Sequence, residues 1–155
     1  MRKYDFALRE MRGPSPNIEM VLGLLSAAIE AGDHRAQYAL ATWYLHGTNL
    51  SKNLQKAVAL LVLAAGKGNR NAMYDLAVCY EKGAGTEKDT RRAFNYYVSA
   101  ALRGDKQSQF EVGRMLYHGI GTVEDRGLAD LWLSRARKLG IESTNNDAED
   151  NGGAE

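Results

Sequence analysis

Ala72-Met-Tyr-Asp-Leu76-Ala-Val-Cys-Tyr80-Glu-Lys-Gly83-Ala-Gly85 carries the pattern of a helix followed by a glycine turn. Ala72, Leu76 and Tyr80 fall at i, i+4 and i+8, so small and large apolar residues form one stripe along one helix face. Gly83 follows, suited to the left-handed conformation that closes a helix. Moved by 36 residues either way, the frame returns: Ala36, Leu40, Tyr44 and Gly47 before it, Ser108, Val112, Leu116 and Gly119 after it. Gly68, Gly104 and Gly140 keep the same step. A gapless period of this kind is an internal repeat, and it governs every later reading.

Each unit reads as two helices. Asp33, Asn69 and Asp105 are short acceptors suited to cap the first helix, and Asn53, Asp89 and Asp125 suit the second. Between them runs a glycine loop, with Gly85 and Gly121 in two units and Asn49 in the other. The second helices carry Ala57, Leu61 and Ala64, then Ala93, Tyr97 and Ala100, then Ala129, Leu133 and Ala136, a pattern that lets helix axes approach closely. Shifted back once more, the frame lands on Asn17, Leu22, Leu25, Ala28 and Gly32. The expected organisation is a solenoid over residues 1–140, with an N-terminal cap unit over about 1–32 and repeats at 33–68, 69–104 and 105–140. The first helix of the cap unit runs from about Arg2 to Met11 and stops at Gly13-Pro14-Ser15-Pro16. Residues 141–155 are acidic, aperiodic and expected to be disordered. No helix of such a pair can bury its stripe alone, so stability comes from stacking between neighbouring units.

The middle unit continues with Asp89, Arg92-Ala93, Tyr96-Tyr97, Ala100-Ala101 and Gly104. With the glycine frame quoted above, it resembles the Sel-1-like repeat family, over about residues 17–140. The resemblance implies an all-α fold, an α-α superhelix in the form of a right-handed solenoid of antiparallel helix pairs. It also implies use as an adaptor or assembly platform, and no reaction. The first full unit departs from the pattern, with Asn49 for the second loop glycine and Leu60-Leu61 for the aromatic pair, so a different loop shape is expected there.

Composition narrows the function classes. The 155 residues are 45% hydrophobic and 25% charged, the balance of an ordinary soluble domain. No secretory signal is read at the N-terminus, and the longest apolar stretch, Ala57 to Ala65, falls far short of a bilayer span. A cytoplasmic location is therefore expected. Cys79 is the only cysteine, which rules out an internal disulfide and leaves a multi-cysteine zinc site unsupported. No nucleophile–base set, paired-carboxylate motif or phosphate loop stands at a meaningful spacing, so neither catalysis nor a cofactor is expected. His46 and His118 occupy equivalent positions two units apart, too far to share one metal ion. Net charge is +1, but Glu142, Asp147, Glu149, Asp150 and Glu155 fall in the last fifteen residues. The rest holds 14 acidic against 20 basic residues, and this basic body suggests an acidic partner.

Tetratricopeptide-type solenoids, which the chain also resembles, bind partners along a concave face lined by first helices. Frame residues such as Tyr38, Tyr74 and Phe110 recur in every unit and read as packing. Positions that vary between units are the binding candidates: Arg35, Asn71 and Gln107; Thr42, Val78 and Arg114; Leu45, Glu81 and Tyr117; His46, Lys82 and His118. Arg114 and Tyr117, which share a turn and belong to hot-spot residue types, lead the set. The expected function is a non-enzymatic protein-interaction scaffold, with neutralisation of a toxin or regulation of one partner as its narrower form. Two rivals stand beside it. One is a β-lactamase-like activity described for cysteine-rich relatives, which a single cysteine argues against. The other is nucleic-acid binding through Arg91, Arg92, Arg135, Arg137 and Lys138, which are scattered over second helices without a reading motif.

Overall fold

A computed structural model of the chain describes residues 2–140; the acidic segment 141–155 lies outside the described residues. The described residues form eight helices and no strand: α1 (Lys3–Met11), α2 (Ile18–Glu30), α3 (His34–His46), α4 (Leu54–Gly66), α5 (Arg70–Lys82), α6 (Thr90–Leu102), α7 (Lys106–His118) and α8 (Arg126–Lys138). Consecutive helices pack pairwise, and each pair packs on the next through α2 on α3, α4 on α5 and α6 on α7. The result is an all-α solenoid.

Helix boundaries follow from local chemistry. The side chains of Asp33, Asn69 and Asp105 accept the backbone N–H of Arg35, Ala72 and Ser108. Asn53, Asp89 and Asp125 do the same for Lys56, Arg92 and Leu128, and Asn17 for Met20. Such a cap satisfies one of the N–H groups a helix start leaves orphaned, and contributes about 1 kcal/mol. Gly47, Gly83 and Gly119 close the first helices at φ 68°, 71° and 69°. The linker is then pinned: the N–H of each second-helix cap donates to the carbonyl of Tyr44, Tyr80 or Leu116, at 2.9, 2.8 and 2.9 Å.

The core sits between the helix layers. Leu61, Leu76, Tyr97, Val112 and Met115 are buried, with alanines such as Ala57, Ala72, Ala93 and Ala129 at the close approaches. A second, smaller cluster gathers Ala7, Val21, Leu25, Ala28 and Ala36 at the N-terminal end. The first-helix stripe is not equally buried in all units. Leu76, Tyr80, Val112 and Leu116 are buried, whereas Leu40 and Tyr44 are only half-buried, because α2 covers α3 less extensively than α4 covers α5.

One loop position accounts for part of that difference. Gly85 and Gly121 sit at φ 73° and 66°, and a Cβ built on either would overlap the backbone carbonyl of Leu54 or Thr90, the first residue of the preceding second helix. The loop therefore lies directly on the neighbouring unit only where there is no side chain. Asn49 holds the same left-handed conformation, φ 60°, but carries a Cβ, so the first loop cannot approach the start of α2 as closely. At the other end, α8 turns polar outward. Exposed Asp130 and Arg137 stand where α6 has Phe94 and buried Ala101, the polar outer face expected of a terminal repeat.

Candidate functional site

Along α3, α5 and α7 partly exposed residues recur at i, i+1, i+4 and i+7: Tyr38, Ala39, Thr42 and Leu45, then Tyr74, Asp75, Val78 and Glu81, then Phe110, Glu111, Arg114 and Tyr117. This spacing is one helix face. The three helices present it side by side, since Arg114 of α7 reaches Glu81 of α5 and the Tyr38 hydroxyl of α3 lies beside Asp75 of α5. Half-buried Tyr38, Tyr74 and Phe110 run across it as an aromatic row.

Charge on this face is organised around Arg114. Its Nη2 donates to Glu81 Oε1 at 2.6 Å and its Nε to Glu111 Oε2 at 2.7 Å. The Tyr97 hydroxyl donates to Glu81 Oε2 at 2.9 Å, and Gln107 Nε2 to Glu111 Oε1 at 3.4 Å. Burial disfavours the guanidinium's charge, but its bonds to Glu111 and Glu81 outweigh that, so its pKa is raised. Tyr74 sits among carboxylates: burial first, then Glu111, Asp75, Asp105 and Glu81, push its phenol up to about 12. Burial also raises the Asp75 pKa, against the opposing effects of the Tyr38 hydroxyl and His46.

The sequence candidates differ in their surroundings. Arg114 and Arg35 are engaged within the chain, Arg35 through Asp33 at 2.8 Å, Asp5 at 3.2 Å and the Tyr4 ring at 4.5 Å. Tyr117 shares a turn with Arg114 but takes other partners, meeting His118 edge-on at 5.0 Å with the Arg126 guanidinium 4.6 Å above its ring. Thr42 bonds back to the Ala39 carbonyl at 2.7 Å, and Val78 packs on the core. His46, Asn71, Lys82 and His118 are exposed. The structure thus brings Arg114 and Gln107 together through Glu111, and Tyr117 with His118, while Arg35 belongs to the N-terminal junction. Asp75, Glu111 and Arg126 were not singled out by sequence reasoning. The available signal was the Glu111 to Arg114 spacing of one helical turn; nothing in the spacing marks the Tyr117–Arg126 contact. Cys79 is buried, which pushes its thiol up to about 11. Among the described residues no group of three His, Cys, Asp or Glu side chains could hold a metal ion, and no helix is long and apolar enough to cross a membrane.

Paired helices stacked by a glycine frame, with no strand among the described residues, define a helical-repeat scaffold. The Sel1 repeat family matches residues 34–69, 70–105 and 106–141, so the chain belongs to the Sel1 repeat family. A Sel1 repeat protein from Oxalobacter formigenes is 36% identical, with 78% of this chain and 91% of that one covered and a TM-score of 0.72. A protective antigen of uropathogenic Escherichia coli with an SLR fold is 26% identical at a TM-score of 0.85. That alignment covers 90% of this chain, which spans only 30% of the antigen's length. Cysteine rich protein B of Helicobacter pylori is 28% identical, with 76% and 90% covered and a TM-score of 0.60; this chain has one cysteine. No curated protein gives a significant match. Sel1 repeat proteins generally mediate protein–protein interaction, and their fold is typically a non-enzymatic scaffold.

Proposed function

We propose that this chain is an adaptor that binds a segment of one partner protein along the shared face of α3, α5 and α7, and that it does so in the cytoplasm. The observation that supports this reading is the aromatic and polar stripe at helical spacing, which the fold leaves half-exposed on three adjacent helices while burying the opposite stripe of α5 and α7. Exposed apolar and aromatic surface held on rigid helices suits recognition of an extended or helical segment. Affinity capture followed by mass spectrometry tests it, using the wild type, Val78→Glu on the shared face and Leu131→Glu on α8. Leu131 is exposed on the other helix layer, so the reading expects its variant to retain the captured protein and Val78→Glu to lose it. Loss in Leu131→Glu with retention in Val78→Glu would move the binding surface to the second helices.

A further inference from the structure

The chain's overall basic body favours an acidic partner, but the local charge on the shared face has the opposite sign. Asp75 follows Tyr74 on the shared face and Glu111 holds the equivalent position on α7, and the charges of Glu111, Asp75, Asp105 and Glu81 all act on the Tyr74 phenol. Arg114 is the cation within this group, and it pairs with both Glu81 and Glu111, so it neutralises one charge of two. Asp75 has no ion-pair partner among the described residues. Five of the basic residues that make the body positive, Arg91, Arg92, Arg135, Arg137 and Lys138, are exposed on α6 and α8, not on this face. Next to the uncompensated carboxylates run the half-exposed rings of Tyr38, Tyr74 and Phe110. An aromatic face beside acids, with water partly excluded, is a setting that attracts a cation twice over, through the ring quadrupole and through direct ion pairing.

We propose that the shared face takes a basic segment of the partner, with a lysine or arginine side chain laid over the Tyr74 ring between Asp75 and Glu111. This rests on the reading of that face as the interaction surface and adds the chemistry of what it receives. The apolar stem of the incoming side chain covers the aromatic row while its charged head meets the carboxylates. Arg114 holds Glu81 and Glu111 in place. Burial keeps Asp75 reluctant to ionise, and an arriving cation relieves that reluctance.

The test is a titration of the full chain, followed by backbone amide NMR, with three twelve-residue Gly/Ser peptides that differ only in carrying four lysines, four glutamates or four glutamines. The lysine peptide is expected to shift the amides of Tyr74, Asp75 and Glu111 and to bind at least about tenfold more tightly than the glutamate peptide, as the gain of two partly buried ion pairs allows. Asp75→Asn with Glu111→Gln is expected to lower its affinity about tenfold, and Asp75→Asn alone a few-fold; the single variant keeps the shape of the side chain should the double variant fold poorly. Equal lysine-peptide binding by the wild type and Asp75→Asn, or tighter binding of the glutamate peptide at the same amides, overturns the basic-segment proposal and leaves the interaction face standing. Shifts confined to α4, α6 and α8 overturn both. Binding of none of the three peptides overturns the basic-segment proposal.

Discussion

The junction of α2 with α3 and the junctions of α4 with α5 and α6 with α7 share one sequence frame, yet they are not packed alike. In the later two, a loop glycine lies against the first carbonyl of the preceding second helix; in the first, Asn49 stands at that position. Leu76 and Val112 are buried as a result of full coverage, and Leu40 is not. Each region also holds an arginine between two carboxylates. Arg35, Asp33 and Asp5 are 35%, 12% and 37% exposed, while Arg114, Glu81 and Glu111 are 27%, 22% and 15% exposed. Caps and stripes set the register of a repeat, while one absent Cβ per unit sets how closely units stack. Because stability in such arrays is a sum over neighbours, the first junction is where the stack is weakest.

Truncating the same frame position in two units separates the tight junctions from the loose one. Leu76→Ala is expected to destabilise the chain by about 2–5 kcal/mol, as a fully buried leucine does, and Leu40→Ala by about 1–2 kcal/mol. Chemical denaturation measures both, and equal losses would show that the first junction is as tight as the others. Gly121→Ala adds the Cβ that Asn49 already has, against a backbone that must shift, and is expected to cost at least about 2 kcal/mol. Asn49→Gly should stay within about 0.5 kcal/mol of wild type in the same assay, since asparagine tolerates the left-handed conformation.

Smaller effects separate the two arginines. Arg114→Met leaves two partly buried carboxylates facing each other and is expected to cost about 1–2 kcal/mol, against less than about 1 kcal/mol for Arg35→Met at its more exposed site. Thermal unfolding at low and high salt reads both, with the Arg35 effect the more strongly screened. The smallest change concerns pH. Asp75 has a raised folded-state pKa, so its ionised form costs stability above that pKa, and the cost fades as pH falls towards the ordinary carboxylate value of 3.8. Asp75→Asn is therefore expected to be slightly more stable than wild type at pH 7, with the gap closing towards pH 4. Asp33 runs the other way. Its pKa is lowered, chiefly by the hydrogen bond from Arg35, so the stability it contributes at neutral pH is lost as pH falls from 3.8 through its folded pKa.

Much of the fold was legible because its signals are local. A cap aspartate acts on an N–H two or three residues ahead, and Gly83 or Gly119 closes a helix through its own backbone angle. The candidate site was legible only in part. Its face follows from the helical period, and Arg114 was named as a binding candidate by residue type, with no sign of its partners within the chain. Its guanidinium meets Glu81, 33 residues away, a pairing that no periodicity encodes. Asp75 escaped notice because the equivalent position is Ala39 in one unit and Glu111 in the other, a variation that reads as ordinary surface until the neighbouring helix brings Tyr38 beside it.

The 36-residue repeat, the paired helices, their capping residues and the Sel1 repeat pattern are legible along the chain, because each depends on contacts within one turn or one loop. How tightly each unit stacks, which arginines pair within the chain, and the acidic character of the shared face on a basic body emerge from the packing of the helices. Those features arise where side chains from different units meet across the stack. Their distances depend on the superposition of helices rather than on the order of residues along the chain.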